Sequence, residues 1–187
     1  MTATPRSPLR HLTDALERTD GAVRLRELPF RSQVELRADE APATVGAFLG
    51  CELPGPGAVS GDGRRSVLWC GPGWYLVVDA PGSAPGLEAG LREALGETFG
   101  AVVDISAQRT VLELSGSRAR EVLAHGCSLD LHSRTFGPGR CAQTNLAQAQ
   151  VILHQTAPEA YHVLVRASYA DYLARWLLDA MTEYLAA

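Results

Sequence analysis

Between Val102 and Leu131 the chain reads VVDISAQRTVLELSGSRAREVLAHGCSLDL, and its apolar positions change period twice. Val102, Val103 and Ile105 form a short apolar run. After Ala107-Gln108, residues Thr110 to Leu114 alternate, with Leu112 and Leu114 on one side and Val111 and Glu113 on the other. This pattern predicts a strand, a tight break and a second strand, with Glu113 solvated. Ser115-Gly116-Ser117 then opens a helix, since either hydroxyl can accept from the orphan N–H groups of its first turn. Ala119, Val122 and Leu123 supply the buried stripe, and Gly126 the stop. Leu129 and Leu131 straddle Asp130 as the chain leaves.

The same pattern occurs earlier. Val34-Glu35-Leu36, a short helix and Leu49-Gly50-Cys51-Glu52-Leu53 mirror Leu112-Glu113-Leu114, the helix and Gly126-Cys127-Ser128-Leu129. Val67-Leu68-Trp69 and Tyr75-Leu76-Val77-Val78 mirror Val151-Ile152-Leu153 and Tyr161-His162-Val163-Leu164. Leu87, Leu91, Ala94 and Leu95 match Leu173, Leu177, Ala180 and Met181 at one constant offset. An ordered series of matches indicates an internal duplication, and two copies are too few for a solenoid. The expected architecture is α+β: a single domain over 21–187 built from two β-α-β-β-α copies, about 23–98 and about 101–187, related by a pseudo-two-fold axis. An arm over 1–20 precedes it.

In that arm, the Pro- and polar-rich residues 1 to about 8 are expected to order only on binding. Leu9, Leu12, Ala15 and Leu16 give one face of a two-turn helix, too short to stand undocked. Strands are predicted over Val23–Leu28 and Ser32–Leu36, with Pro29 marking a bend. Ala43–Leu49 and Gly86–Glu97 read as helices, and Ser66–Asp79 as a hairpin turned at Gly71-Pro72-Gly73. Pro54 to Arg65 reads as a flexible surface loop. Its Gly55, Gly57 and Gly61 follow no strand, which argues against a dinucleotide loop. After the TFGPGR loop (135–140), Cys141–Leu153 is an unusually polar strand that Pro158-Glu159 turns into Tyr161–Val165. The last helix has apolar residues from Tyr169 and Tyr172 through Trp176 to Tyr184 and Leu185 at helical spacing.

Composition narrows the chemistry. The 187 residues are 46% hydrophobic and 20% charged, with net charge −4, as expected of one globular domain. All 17 basic residues are arginine. Without lysine there is no P-loop lysine, Schiff base or Ser-x-x-Lys pair. The early arginines interleave with Asp14, Glu17, Asp20 and Glu27, a mixed-charge face unlike a nucleic-acid footprint. No run approaches the roughly 18 apolar residues of a membrane span, and MTATPRSPLR lacks a signal-peptide core. The four cysteines form no C-x-x-C pair, so a cytoplasmic protein with reduced thiols is expected.

Few residues suggest chemistry. His125, Cys127, His132 and Cys141 lie close in sequence, but Cys127 repeats Cys51, where no histidine is near. A duplicated packing position accounts for both, and no metal site is assigned. No Gly-x-Ser-x-Gly elbow occurs, and no catalytic residue is assigned. Among the carboxylates, Asp104 can bond the turn at Ser106-Ala107. Asp130 stands out, because burial between its leucines would raise its pKa. Trp74, beside the Gly-Pro-Gly turn, is a candidate anchor for a partner subunit.

The motifs LPFRSQVELR, RSVLWCGPGWYLVV, VDISAQRTVLELSGSRAREVLAHGCSLDL, FGPGRCAQTNLAQAQVIL and YHVLVRASYADYLARWLLDA resemble, over nearly the whole chain, the gamma subunits of heterotetrameric sarcosine oxidase. More distantly, Asp104-Ile105-Ser106, Ser115-Gly116-Ser117-Arg118-Ala119 and Leu129-Asp130-Leu131 resemble the folate-binding domain of the aminomethyltransferase (glycine cleavage T-protein) family. The second resemblance implies a duplication in which two β-α-β units exchange their first strands. It also implies that Asp130 stands where that family's aspartate serves one-carbon chemistry on tetrahydrofolate. That family's Gly-Met-Leu-Asn and paired glycines are here Gln143-Thr144-Asn145-Leu146 and Ala149-Gln150-Val151, which makes Asp130 a vestigial folate-site candidate. The first resemblance implies a non-catalytic structural subunit, partnered by alpha, beta and delta subunits, in an enzyme that demethylates sarcosine oxidatively to glycine. FAD, FMN, NAD and zinc would belong to those subunits, tetrahydrofolate would serve the complex, and this chain would bind no cofactor. The alternative is a freestanding tetrahydrofolate-binding protein that uses Asp130.

Overall fold

A computed structural model describes residues 4–19 and 21–185; the expectations for residues 1–3 lie outside that range. After a single 3-10 turn, Arg10–Leu12, the elements in chain order are α1 (Thr13–Glu17), β1 (Arg24–Leu28), β2 (Ser32–Arg37), α2 (Ala43–Leu49), β3 (Val59–Gly61), β4 (Ser66–Gly71), β5 (Trp74–Asp79) and α3 (Ala84–Leu95). They continue with β6 (Ala101–Asp104), β7 (Arg109–Ser115), α4 (Ala119–Ala124), β8 (Cys141–Leu146), β9 (Ala149–Ala157), β10 (Ala160–Arg166) and, after a second 3-10 turn, α5 (Ala170–Ala180).

The strands make two five-stranded antiparallel sheets, ordered β1-β7-β10-β9-β8 and β6-β2-β5-β4-β3. Read this way, each position in one sheet has its counterpart in the other. The duplication is therefore a feature of the fold, and its first strands are exchanged. β1, from the first copy, pairs with β7 of the second, while β6 pairs with β2. As a result, the two compact units do not follow the two copies along the chain. One comprises residues 1–29, 108–138 and 143–187, and the other 30–107 and 139–142.

Each unit buries one sheet face beneath its own helices. In the second unit, Val34, Leu36, Val67 and Val77 of the sheet pack with Val45, Leu87, Leu91 and Leu95 of α2 and α3. In the first, Leu25, Leu112, Leu114, Tyr161 and Val163 are fully buried, as are Leu173 and Leu177 of α5. At roughly 25 cal/mol per Å² of apolar surface removed from water, this alternation is the main force holding sheet to helix.

The structure departs from the sequence reading in five places. Cys141–Leu153, expected as one strand, is a hairpin of β8 and β9 turned at Ala147-Gln148, with Ala147 in the left-handed region at φ 51°. Val59–Gly61, expected in a flexible loop, is an edge strand on β4. The apolar match of Val67 to Val151 is out by two residues. Val67 lies opposite Val77 and Leu153 opposite Val163, so Leu153 is the counterpart. A two-residue slip keeps every side chain on its own face, which hides it from a period-2 pattern. No hydroxyl caps α4, whose N-cap is Arg118; the Ala119 N–H donates instead to the Gly116 carbonyl at 3.0 Å. Finally, α5 ends at Ala180, and Tyr169 and Tyr172, placed by spacing on its inner face, are exposed.

Candidate functional site

Asp130 lies in the loop that α4 feeds. Its neighbour Leu131 is buried, but Asp130 itself is exposed. Its Oδ1 accepts from the His132 backbone N–H at 2.9 Å, and its Oδ2 from the Thr135 hydroxyl at 2.9 Å. The His132 ring Nδ1 in turn accepts from the Arg134 N–H at 3.2 Å. The carboxylate thus closes its own loop as an Asx-type turn. The His132 N–H first, and then the Thr135 hydroxyl, hold its pKa below the ordinary aspartate value. This is opposite to the rise that burial would have caused.

Trp74 opens β5 and is half-buried. The Arg37 guanidinium lies 4.0 Å from its ring centroid, a cation–π contact. Its indole Nε1 is buried without a hydrogen-bond acceptor among the described residues.

Three of the four residues considered for a metal have other side-chain partners. Cys141 Sγ faces the Ala58 and Trp69 carbonyls at 3.3 and 3.4 Å, and burial raises its thiol pKa to about 11. Cys127 bridges to Leu146. His125 Nε2 lies 3.0 Å from the Tyr184 hydroxyl and 3.2 Å from Glu183. Among the described residues, no group of three or more His, Cys, Asp or Glu side chains could hold a metal ion. No helix among them is long and apolar enough to cross a membrane.

One polar cluster was missed in the sequence. Register places Arg26, Glu113, His162 and His154 opposite one another on β1, β7, β10 and β9. Glu113, expected to be solvated, is largely covered. Its Oε1 meets Arg26 Nε at 2.9 Å and its Oε2 lies 3.5 Å from His162 Nε2. The His154 and His162 rings meet edge-on at 5.8 Å. Burial, with a smaller contribution from His162, lowers the His154 pKa to about 4. Alternate spacing in β9 and β10 puts both histidines on one face, but only the pairing of strands distant in sequence puts His162 beside Glu113, with His154 on its far side. This row is held by the Arg26–Glu113 ion pair, the His162–Glu113 contact and ring packing.

Comparison with known proteins decides the family. Residues 36–183 match the family described as sarcosine oxidase, gamma subunit family. The chain belongs to that family. The sarcosine oxidase subunit gamma of an Arthrobacter species is 43% identical over 98% of this chain and 93% of its own length. That of Corynebacterium sp. (strain U-96) is 40% identical over 97% and 92%. A chain of the heterotetrameric sarcosine oxidase from Corynebacterium sp. U-96, solved in complex with pyrrole 2-carboxylate, superimposes with a TM-score of 0.91 at 40% identity. The superposition covers 98% of this chain and 97% of that one. The glycine cleavage aminomethyltransferase T of Bartonella henselae matches with a TM-score of 0.58 at 18% identity, over 89% of this chain and 48% of that one. At that identity the likeness concerns the fold alone. The gamma subunit family thus shares the duplicated architecture of the larger aminomethyltransferases.

Proposed function

We propose that this chain is a structural subunit of a heterotetrameric sarcosine oxidase, working in the cytoplasm beside alpha, beta and delta subunits and contributing no catalytic side chain. One observation carries the reading: nearly the full chain superimposes on nearly the full length of a single chain of such an oxidase. In this reading FAD, FMN, NAD and zinc are held by the other subunits, and sarcosine is demethylated to glycine there. Each Asp130 carboxylate oxygen accepts one hydrogen bond within its own loop, so the side chain has a bracing role that needs no ligand. Asp130 is then a relic of a one-carbon site, kept as a loop brace, and no reaction step is assigned to it.

Co-expression tests the proposal. The other three subunits, produced with and without this chain, should assemble and turn over sarcosine only when it is present. Normal assembly and turnover in its absence would overturn the structural role. Titration of the chain with tetrahydrofolate should show no micromolar binding. Binding that is lost in Asp130→Asn would favour the freestanding one-carbon protein.

A further inference from the structure

The two sheets treat the same edge position with different side chains. Leu25 of β1 lies opposite Leu114, and Val102 of β6 lies opposite Leu36, the counterpart of Leu114. Further along β6 the Ile105 N–H donates to the Gln33 carbonyl at 2.8 Å. Ladder bonds alternate along an antiparallel pair, so the N–H and C=O of Val102 point away from β2. Outward main-chain groups on an edge strand are a template on which another strand can pair.

On β1 that template is filled. Thr19 Oγ1 accepts from the Leu25 N–H at 2.9 Å and donates to the Leu25 carbonyl at 3.0 Å. Thr19 is buried, and α1 packs on the same strand. On β6 the neighbouring helix is α3, which covers the inward face at Val102 and sends Arg92 to the edge. Arg92 Nη2 donates to the Val102 carbonyl at 2.7 Å and to Glu88 Oε1, one helical turn earlier, also at 2.7 Å. The carboxylate therefore holds the guanidinium over the carbonyl. On the other face of β6, Ala101 and Val103 are exposed and uncharged, and valine suits a paired strand.

We propose that Arg92 is an edge cap: it occupies the Val102 carbonyl and so keeps β6 from pairing with the β6 of a second copy of this chain. A strand can add only by displacing a charged donor, and the neutral N–H that would replace it makes a weaker bond to the carbonyl. The excluded occupant is a second copy because two β6 strands related by a two-fold axis normal to the sheet run antiparallel, the sense of both sheets. The cap keeps the chain single in solution, and this holds whether or not the subunit reading does.

The test uses the full chain, with self-association read by sedimentation equilibrium over a concentration series. Arg92→Ala should raise the association constant by roughly tenfold, the worth of one hydrogen bond from a charged donor. Val103→Lys added to Arg92→Ala should return the constant to that of the unaltered chain, because lysines on two approaching edge strands repel. Glu88→Ala, which removes the ion pair and keeps the cap, should leave it unchanged. If Arg92→Ala lowers the yield of folded chain, Arg92→Met, which keeps the aliphatic stem without the donor, takes its place with the same expectation. An unchanged constant in these Arg92 variants overturns the proposal. It is also overturned if the Val103→Lys double variant still associates, since the contact then lies elsewhere, or if Glu88→Ala associates as strongly as Arg92→Ala. Self-association of the unaltered chain that Val103→Lys dissolves would show β6 open despite Arg92, with the same consequence.

Discussion

Across the first sheet, Arg26, Glu113, His162 and His154 face one another; in the matching row of the second stand Val103, Glu35, Leu76 and Leu68. The carboxylate is kept in both rows but used differently. Glu113 binds across strands to Arg26, whereas Glu35 bonds Arg37 of its own strand at 2.8 Å. One strand framework therefore carries either a polar or an aliphatic row, because register sets the positions and the side chains then find partners locally. The helices show a second exchange. In one unit Trp176 of α5 lies against Gly126, where a Cβ would come within 2.7 Å of its ring; in the other Phe48 of α2 lies against Gly90, within 2.2 Å. Gly90 occupies the place of Trp176 at the constant offset that relates Leu87 to Leu173. Large faces small in both, on opposite helices, so what is conserved is the filled volume.

The largest effect should come from removing the chain from Trp176 onward. This deletes Leu177 and Met181, both fully buried, at about 1.5–3 kcal/mol each. With Trp176 also gone, the product should show no cooperative unfolding transition by circular dichroism. The first sheet's row should next reveal itself through pH. His154 is buried with its pKa lowered to about 4, so the unfolded chain binds a proton that the folded chain refuses between about pH 6.5 and 4. Its contribution to stability is complete above the unfolded value and is lost as pH falls through that window, by about 3 kcal/mol at most. His154→Leu, which restores the residue found in the other row, should flatten the pH dependence of the urea midpoint there.

Gly126→Ala should cost about 2 kcal/mol, because its new methyl meets both Trp176 and the Ala147 backbone N, 3.0 Å away. Gly90→Ala should cost less, since Phe48 is partly exposed and can swing outward; equal losses in thermal unfolding would contradict the volume argument. Arg26→Val, which copies Val103, should change stability least, by less than about 1 kcal/mol. Arg26 is more than half exposed in its ion pair, and solvent and salt screen such pairs.

Much of this fold is legible in the order of its residues. Ala43–Leu49 has the predicted helix bounds, and two of the three two-residue hairpin turns lie at the expected Pro72-Gly73 and Pro158-Glu159, while the third, Ala147-Gln148, falls inside the strand expected over 141–153. Strand alternation and the helical stripes are local, set by how each element must hide one face from water. The candidate site was less legible. Asp130 drew attention because burial between its leucines would raise its pKa, whereas it is exposed and closes its own loop through His132 and Thr135, the latter five residues on.

The sequence by itself determined that two similar β-α-β-β-α runs follow one another and which face of each element is apolar, because those properties repeat every two or 3.6 residues along one chain. Only the tertiary structure decided that the copies exchange their first strands and that Glu113 meets Arg26 and His162. These follow from contacts between residues up to about a hundred positions apart, and from the volume and charge that happen to meet there. No local period encodes them.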